Sequence, residues 1–222
     1  INLRYASNYG TPKITEIGGQ LTISLPRSYF VEMFGWADAL AVCSIGECKD
    51  LPKFVQAYKI HSLATNIPTW INVLGNDPAI CEKRATTEYS QKINAYLQFG
   101  MMFIQMHEIG HAALGHLKGV DWSEDQEAEA DALAVHVIKT AFPENLVFAR
   151  SASVAILPLM HRKYRSSFDS VLACRLEALL GDDAKDIMSP TIDCAAYRTA
   201  FEIGMQKAEN LIGPETVLLV KP

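Results

Sequence analysis

The stretch that decides the reading is QMHEIGHAALGHLKGVDWSEDQEAEADALAV, residues 105–135. His107-Glu108-Ile109-Gly110-His111 lies within an apolar-periodic run that predicts a long helix over about Thr86 to Leu114. That helix stops near Gly115 or Gly119, since glycine readily takes the left-handed conformation that ends a helix. Ser123 with Gln126 three residues on is a capping-box arrangement, so a second helix starts there and runs to about Ala141, before Pro143. One short turn between two long helices implies an antiparallel pair with facing sides.

Residues four apart on a helix project from one face, so the imidazoles of His107 and His111 can reach a single metal ion. Glu108 points about 100° away from His107 around the axis. There it can touch a water beside the metal without being a ligand, which is where a general base belongs. A catalytic zinc needs a third protein ligand and an open position. Glu127 begins the second helix, and Asp131 follows one turn later on the same face. Glu127 is therefore the expected third ligand. Asp131 is expected to accept the second ring N–H of a ligand histidine, fixing its tautomer. Glu124, Asp125 and Glu129 read as a solvated acidic face. His136 and His161 are isolated, and His61 has no motif around it.

Working outward, Ile14 to Leu25 reads as a hairpin or two short strands turned by Gly18-Gly19. After Pro26, Ser28 is expected to cap a helix to about Val42, with Tyr29, Phe30, Met33, Phe34, Ala37, Leu40 and Ala41 inward. A shorter helix is expected near Pro52 and a loop over 64–80. Helices are expected over about 143–162, 167–180 and 191–211, the last ending at Gly213. The fold class is mainly α (α+β): one domain over 1–222, with a recognisable core at about 14–140 and a helical part over 141–222. The two motifs sit on adjacent helices, and a small β element lies near the start.

Composition narrows the function. The chain has 222 residues, 49% hydrophobic and 20% charged, an ordinary globular balance. A net charge of −5 argues against a broad nucleic-acid-binding face. The run Ala95 to Met106 is too short to cross a bilayer, so no membrane association is expected. No signal peptide is visible, although a start at Ile1 makes that weak evidence on location. Five cysteines, Cys43, Cys48, Cys81, Cys174 and Cys194, are an odd number in a chain that is not small. They read as reduced thiols of the cytoplasmic pattern, with Cys43 and Cys48 close enough to pair or bind a metal.

H-E-x-x-H followed by E-x-x-A-D (Glu127 to Asp131) resembles the gluzincin metallopeptidases, which bind zinc through two His and one Glu. Within that group the chain is similar to the phage-exclusion Lit-type peptidases over about residues 14–140, and second to the ImmA/IrrE-like peptidases. The resemblance implies a zincin-like fold, Zn2+ held by His107, His111 and Glu127, and Glu108 as base. It also implies a cytoplasmic protease; Lit-type enzymes cut elongation factor Tu during phage infection. His116 departs from one zincin class, in which a histidine ligand lies six residues after the second; here the spacing is five, which places it at the rim. Several relatives carry a downstream His-Pro motif with an Arg six residues after the His. The counterpart here is Asp169 with Arg175, so the His and Pro are missing. Arg175, Tyr164 and His136 are candidates for contacts to the substrate or transition state.

The expected activity is hydrolysis of a peptide bond in a protein or peptide substrate. The strand Leu21–Leu25 offers itself for pairing with an extended substrate. Two other classes compete: a zinc-bound regulatory or interaction domain without catalysis, and a metal-free helical binding module. Glu108 argues against the first, because a purely structural site has no use for a base. Nothing in the sequence fixes the oligomeric state.

Overall fold

Gly18 and Gly19 turn the chain as expected, with φ of 59° and 78°, values that cost glycine little. The computed structural model describes residues 1–6, 12–45, 78–118, 123–143, 148–158, 168–180 and 193–213. The glycine pair joins β2 (Lys13–Ile17) to β3 (Gln20–Pro26) in an antiparallel hairpin. Ile14 and Ile23 are register partners and both are buried. A strand the sequence reading does not anticipate, β1 (Asn2–Ala6), pairs parallel with the other side of β3. The order is β1-β3-β2, so β3 is the central strand.

Helix α1 (Arg27–Cys43) follows β3 directly. Pro26 is its N-cap residue and provides no side-chain cap, so Ser28 lies within the first turn and is not the cap. Tyr29, Met33, Trp36, Ala37 and Leu40 are buried, whereas Phe34, expected inward, is exposed. Helix α2 (Pro78–Arg84) occupies the end of the expected 64–80 loop. The remainder of that loop and the helix expected near Pro52 lie outside the described residues. Arg84 and Tyr89 both bond Asp38 on α1, which ties α1 to the start of the next helix.

Helix α3 (Thr87–Ala113) matches the expected long helix. The Thr86 hydroxyl accepts the Tyr89 backbone N–H, satisfying one donor that a helix start leaves open. Gly115, with φ 78°, ends it and leads into a 3-10 turn, His116–Lys118. Helix α4 (Glu124–Ala141) opens on the expected capping box, Ser123 with Gln126 bonding in both directions. Helices α5 (Phe148–Ile156), α6 (Phe168–Leu180) and α7 (Ala195–Ile212) complete the described elements. The fold is mainly helical with a small three-stranded sheet. No helix among the described residues is long and apolar enough to cross a membrane.

α3 is the organising element and packs on α1, α4 and α5, while α4 packs on α7. Two glycines set those spacings. A Cβ on Gly110 would lie 3.2 Å from the Ala130 Cα, and one on Gly204 would lie 2.7 Å from the Glu129 Cα. Gly110 is inside the first motif and Ala130 inside the second. Their small side chains let α3 and α4 approach closely enough for long side chains on either side to meet.

Candidate metal centre

His107 and His111 are buried on α3, with exposures of 2% and 0%. Their Nε2 atoms are 3.1 Å apart. From α4, Glu127 brings Oε2 to 3.4 Å from the His107 Nε2 and Oε1 to 3.9 Å from the His111 Nε2. These three residues form a group able to hold a metal ion, with donor atoms all within 4.8 Å of one another. Two ligands at zinc distances in a tetrahedral shell lie roughly 3.4 Å apart. The donor set and its spacing therefore fit zinc.

The other nitrogen of each imidazole also faces a polar side chain. The His107 Nδ1 lies 2.7 Å from Asp131 Oδ1. Asp131 is fully buried and holds more partners. Arg175 on α6 donates to it from Nε at 2.8 Å and Nη2 at 2.7 Å, and the Tyr197 hydroxyl on α7 donates at 2.6 Å. Arg175 Nη1 reaches Glu127 Oε2 at 3.2 Å. Arg175 thus joins the two carboxylates, and its five-donor fork suits that task. On the other side, the His111 Nδ1 lies 3.1 Å from the His116 Nδ1. His116 is buried, not at the rim, and Glu129 lies 3.3 Å from its Nε2.

The charges are closely coupled. Burial works to lower the His107 pKa, but Asp131 and Glu127 overcome it and raise it to about 9. Burial lowers His111 to about 2, and the neighbouring His107 and His116 add to that effect. Two imidazoles in contact disfavour a positive charge on both rings. Burial raises Glu127, yet the hydrogen bond from His107 and the charge of Arg175 outweigh it and bring it to about 2. Asp131 is held far below the usual carboxylate range: burial opposes this, and Arg175 and His107 prevail. Burial pushes Glu108 up to about 7, against the pull of His107, an Ile14 backbone hydrogen bond and Arg175. Its Oε2 has no hydrogen-bond partner among the described residues. A dication together with the Arg175 charge would balance the three carboxylates Glu108, Glu127 and Asp131.

Residues 46–166, more than half of the chain, match the Peptidase U49 family model. The chain belongs to the Peptidase U49 family. This is the Lit-type peptidase family, and membership supports a peptidase, a hydrolase acting on protein or peptide. The ImmA/IrrE-like alternative receives no such support. The Peptidase U49 match covers both motifs; it starts downstream of the sheet and α1, and ends before Arg175 and Tyr197. No curated protein and no solved structure matches the chain.

Of the other candidates, His136 sits nine residues beyond Glu127, about half a revolution away around α4 and off the cluster. Tyr164 lies outside the described residues, as do His61 and His161. Sequence reasoning missed Tyr197, which carries no motif and meets Asp131 from 66 residues away. It also assigned Glu129 to the solvated face, although that side chain is only 13% exposed and bonds both His116 and Lys207. The expectation of reduced thiols is overturned for Cys174 and Cys194, which form a disulfide, and Cys43 is also disulfide-bonded. Cys81 remains free. The bridge joins the residue before Arg175 to the N-cap of α7, so it staples together the two elements that supply the partners of Asp131.

Proposed function

We propose that the chain is a zinc-dependent endopeptidase in which His107, His111 and Glu127 bind the metal and Glu108 is the general base. The observation that carries this reading is a carboxylate buried beside three convergent metal donors with one oxygen that has no partner among the described residues. Such a group is costly to keep in a structural site. A bound zinc would supply Lewis acidity, lowering the pKa of water at the site to about 7 and polarising a carbonyl. Glu108 accepts a proton from the attacking water and hands it to the leaving amine nitrogen. The Ile14 backbone hydrogen bond keeps Glu108 in place. Asp131, held by Arg175 and Tyr197, fixes the His107 tautomer with Nε2 directed at the metal.

The strand offered to substrate changes from the one expected. β3 is paired on both sides, so Leu21–Leu25 has no free edge. Among the described residues β2 is an edge strand, and its Ile14 backbone hydrogen bond reaches Glu108. An extended peptide added along β2 would therefore run past the base. Cytoplasmic location, phage exclusion and a translation factor as substrate rest on resemblance to Lit-type enzymes. They make elongation factor Tu the first protein to test.

The test is zinc per chain by elemental analysis together with cleavage of a denatured protein mixture. The expected result is one zinc in the wild type, lost in His111→Ala and Glu127→Ala. Glu108→Gln is expected to keep the zinc and lose hydrolysis by at least about 100-fold. A wild type that takes up no zinc, or full activity in Glu108→Gln, would overturn the reading.

A further inference from the structure

Resting on the zinc reading above, we propose that His116 is a positioning residue for His111, the inner member of a hydrogen-bonded relay that continues through Glu129 to Lys207. The geometry fixes the direction of every link. A metal on the His111 Nε2 requires a lone pair there, so Nδ1 carries the proton and donates. Its partner at 3.1 Å is the His116 Nδ1, which must then accept. His116 in turn carries its proton on Nε2 and donates to Glu129 Oε2 at 3.3 Å. Lys207 Nζ holds the other oxygen of Glu129 at 2.6 Å.

The backbone explains how the residues meet. Gly115, with φ 78°, folds the 3-10 turn back beneath α3. A five-residue spacing from His111 then sets His116 behind that ring, on the Nδ1 side, and away from the Nε2 where a ligand would stand. Gly204 lets α7 come within contact of the Glu129 backbone, and Lys207 follows three residues later on nearly the same face. Glu129 thereby does for His111, through an imidazole, what Asp131 does for His107 directly.

The experiment loads the full chain with Co2+ in place of zinc. It records the visible absorption bands and measures metal affinity by chelator competition, for the wild type, His116→Leu, His116→Asn and Lys207→Met. His116→Leu is expected to weaken metal binding about 10-fold and to shift the cobalt bands. His116→Asn, which keeps an acceptor oxygen near the Nδ1 position, is expected to restore most of both. Lys207→Met should move both readouts in the same direction by less. Wild-type affinity and spectrum in His116→Leu would overturn the proposal. So would a His116→Asn variant as weak as His116→Leu, since that result marks a packing role. If His116→Leu fails to fold, Glu129→Gln and Lys207→Met decide the matter, and no change in either overturns the relay. A wild type that takes up no metal removes the zinc reading itself, an outcome distinct from a loaded wild type with indifferent variants.

Discussion

The two histidines of the first motif are one helical turn apart, yet they are backed in opposite ways. Behind His107 stands a buried carboxylate, Asp131, with Arg175 and Tyr197 filling its remaining sites and a disulfide tying their helices together. Behind His111 stands a second imidazole, His116, then Glu129, then Lys207, whose side chain is 47% exposed. The first network is closed and buried; the second leads out to solvent. Burial strengthens the charge pairs of the first and makes each of its members costly to lose, whereas water can replace the outermost group of the second. The His107 side should therefore carry stability as well as ligand orientation, and the His111 side mainly orientation.

The largest expected effect breaks the closed side. Arg175→Met takes the guanidinium from the buried Asp131 and the half-buried Glu127 and should cost about 3–5 kcal/mol of folding stability, measured by urea unfolding of the metal-free chain. The pH dependence follows with a definite sign. Glu127 and Asp131 titrate lower in the folded chain than in the unfolded one. Their contribution is present above about pH 5 and is lost as the pH falls toward about 2, because the unfolded chain takes up protons first. The Arg175→Met variant should show a shallower acid limb than the wild type. An equally steep limb would mean that Arg175 is not what holds these carboxylates ionised.

A smaller effect probes the staple. Reducing the Cys174–Cys194 bridge, or replacing it by Cys174→Ser with Cys194→Ser, should destabilise the chain by roughly 3 kcal/mol, the scale for a loop of this length. Metal affinity should fall as well, since Arg175 and Tyr197 lose their common anchor. Peptide mapping without reductant checks the bridge directly, and two free thiols at 174 and 194 would remove this part of the comparison.

The smallest effect lies on the open side. Gly204→Ala places a Cβ against the Glu129 backbone and should cost about 1–3 kcal/mol by forcing α7 away from α4. Its effect on metal affinity should track that of Lys207→Met. A Gly204→Ala chain that lost as much affinity as Arg175→Met would show that the two sides are not separable.

Much of this was legible in residues 105–135. Spacing of four on a helix, the Ser123–Gln126 capping box and Glu127 one short turn away depend on local geometry, and local geometry repeats wherever the residues do. The same was true of the Gly18-Gly19 turn and of the limits of α3 and α4. Other features were not legible, each for a stated reason. β1 carries no turn or partner signal next to it, because its partner β3 is not its neighbour in the chain. Ser28 looks like a cap, but the backbone enters the helix at Pro26. The Cys174–Cys194 bond needs the middle of α6 brought against the start of α7, which no spacing rule reports.

What the sequence determined by itself was the chemistry available: two imidazoles and three carboxylates at intervals that a helix aligns. What the tertiary structure alone decided was the state in which that chemistry is held. The approach of α6 and α7 brings Arg175 and Tyr197 onto Asp131 and sets Lys207 against Glu129. Those outcomes depend on distances between helices that are remote in sequence. Such distances follow from how side chains pack at Gly110, Ala130 and Gly204, and not from any one segment read alone.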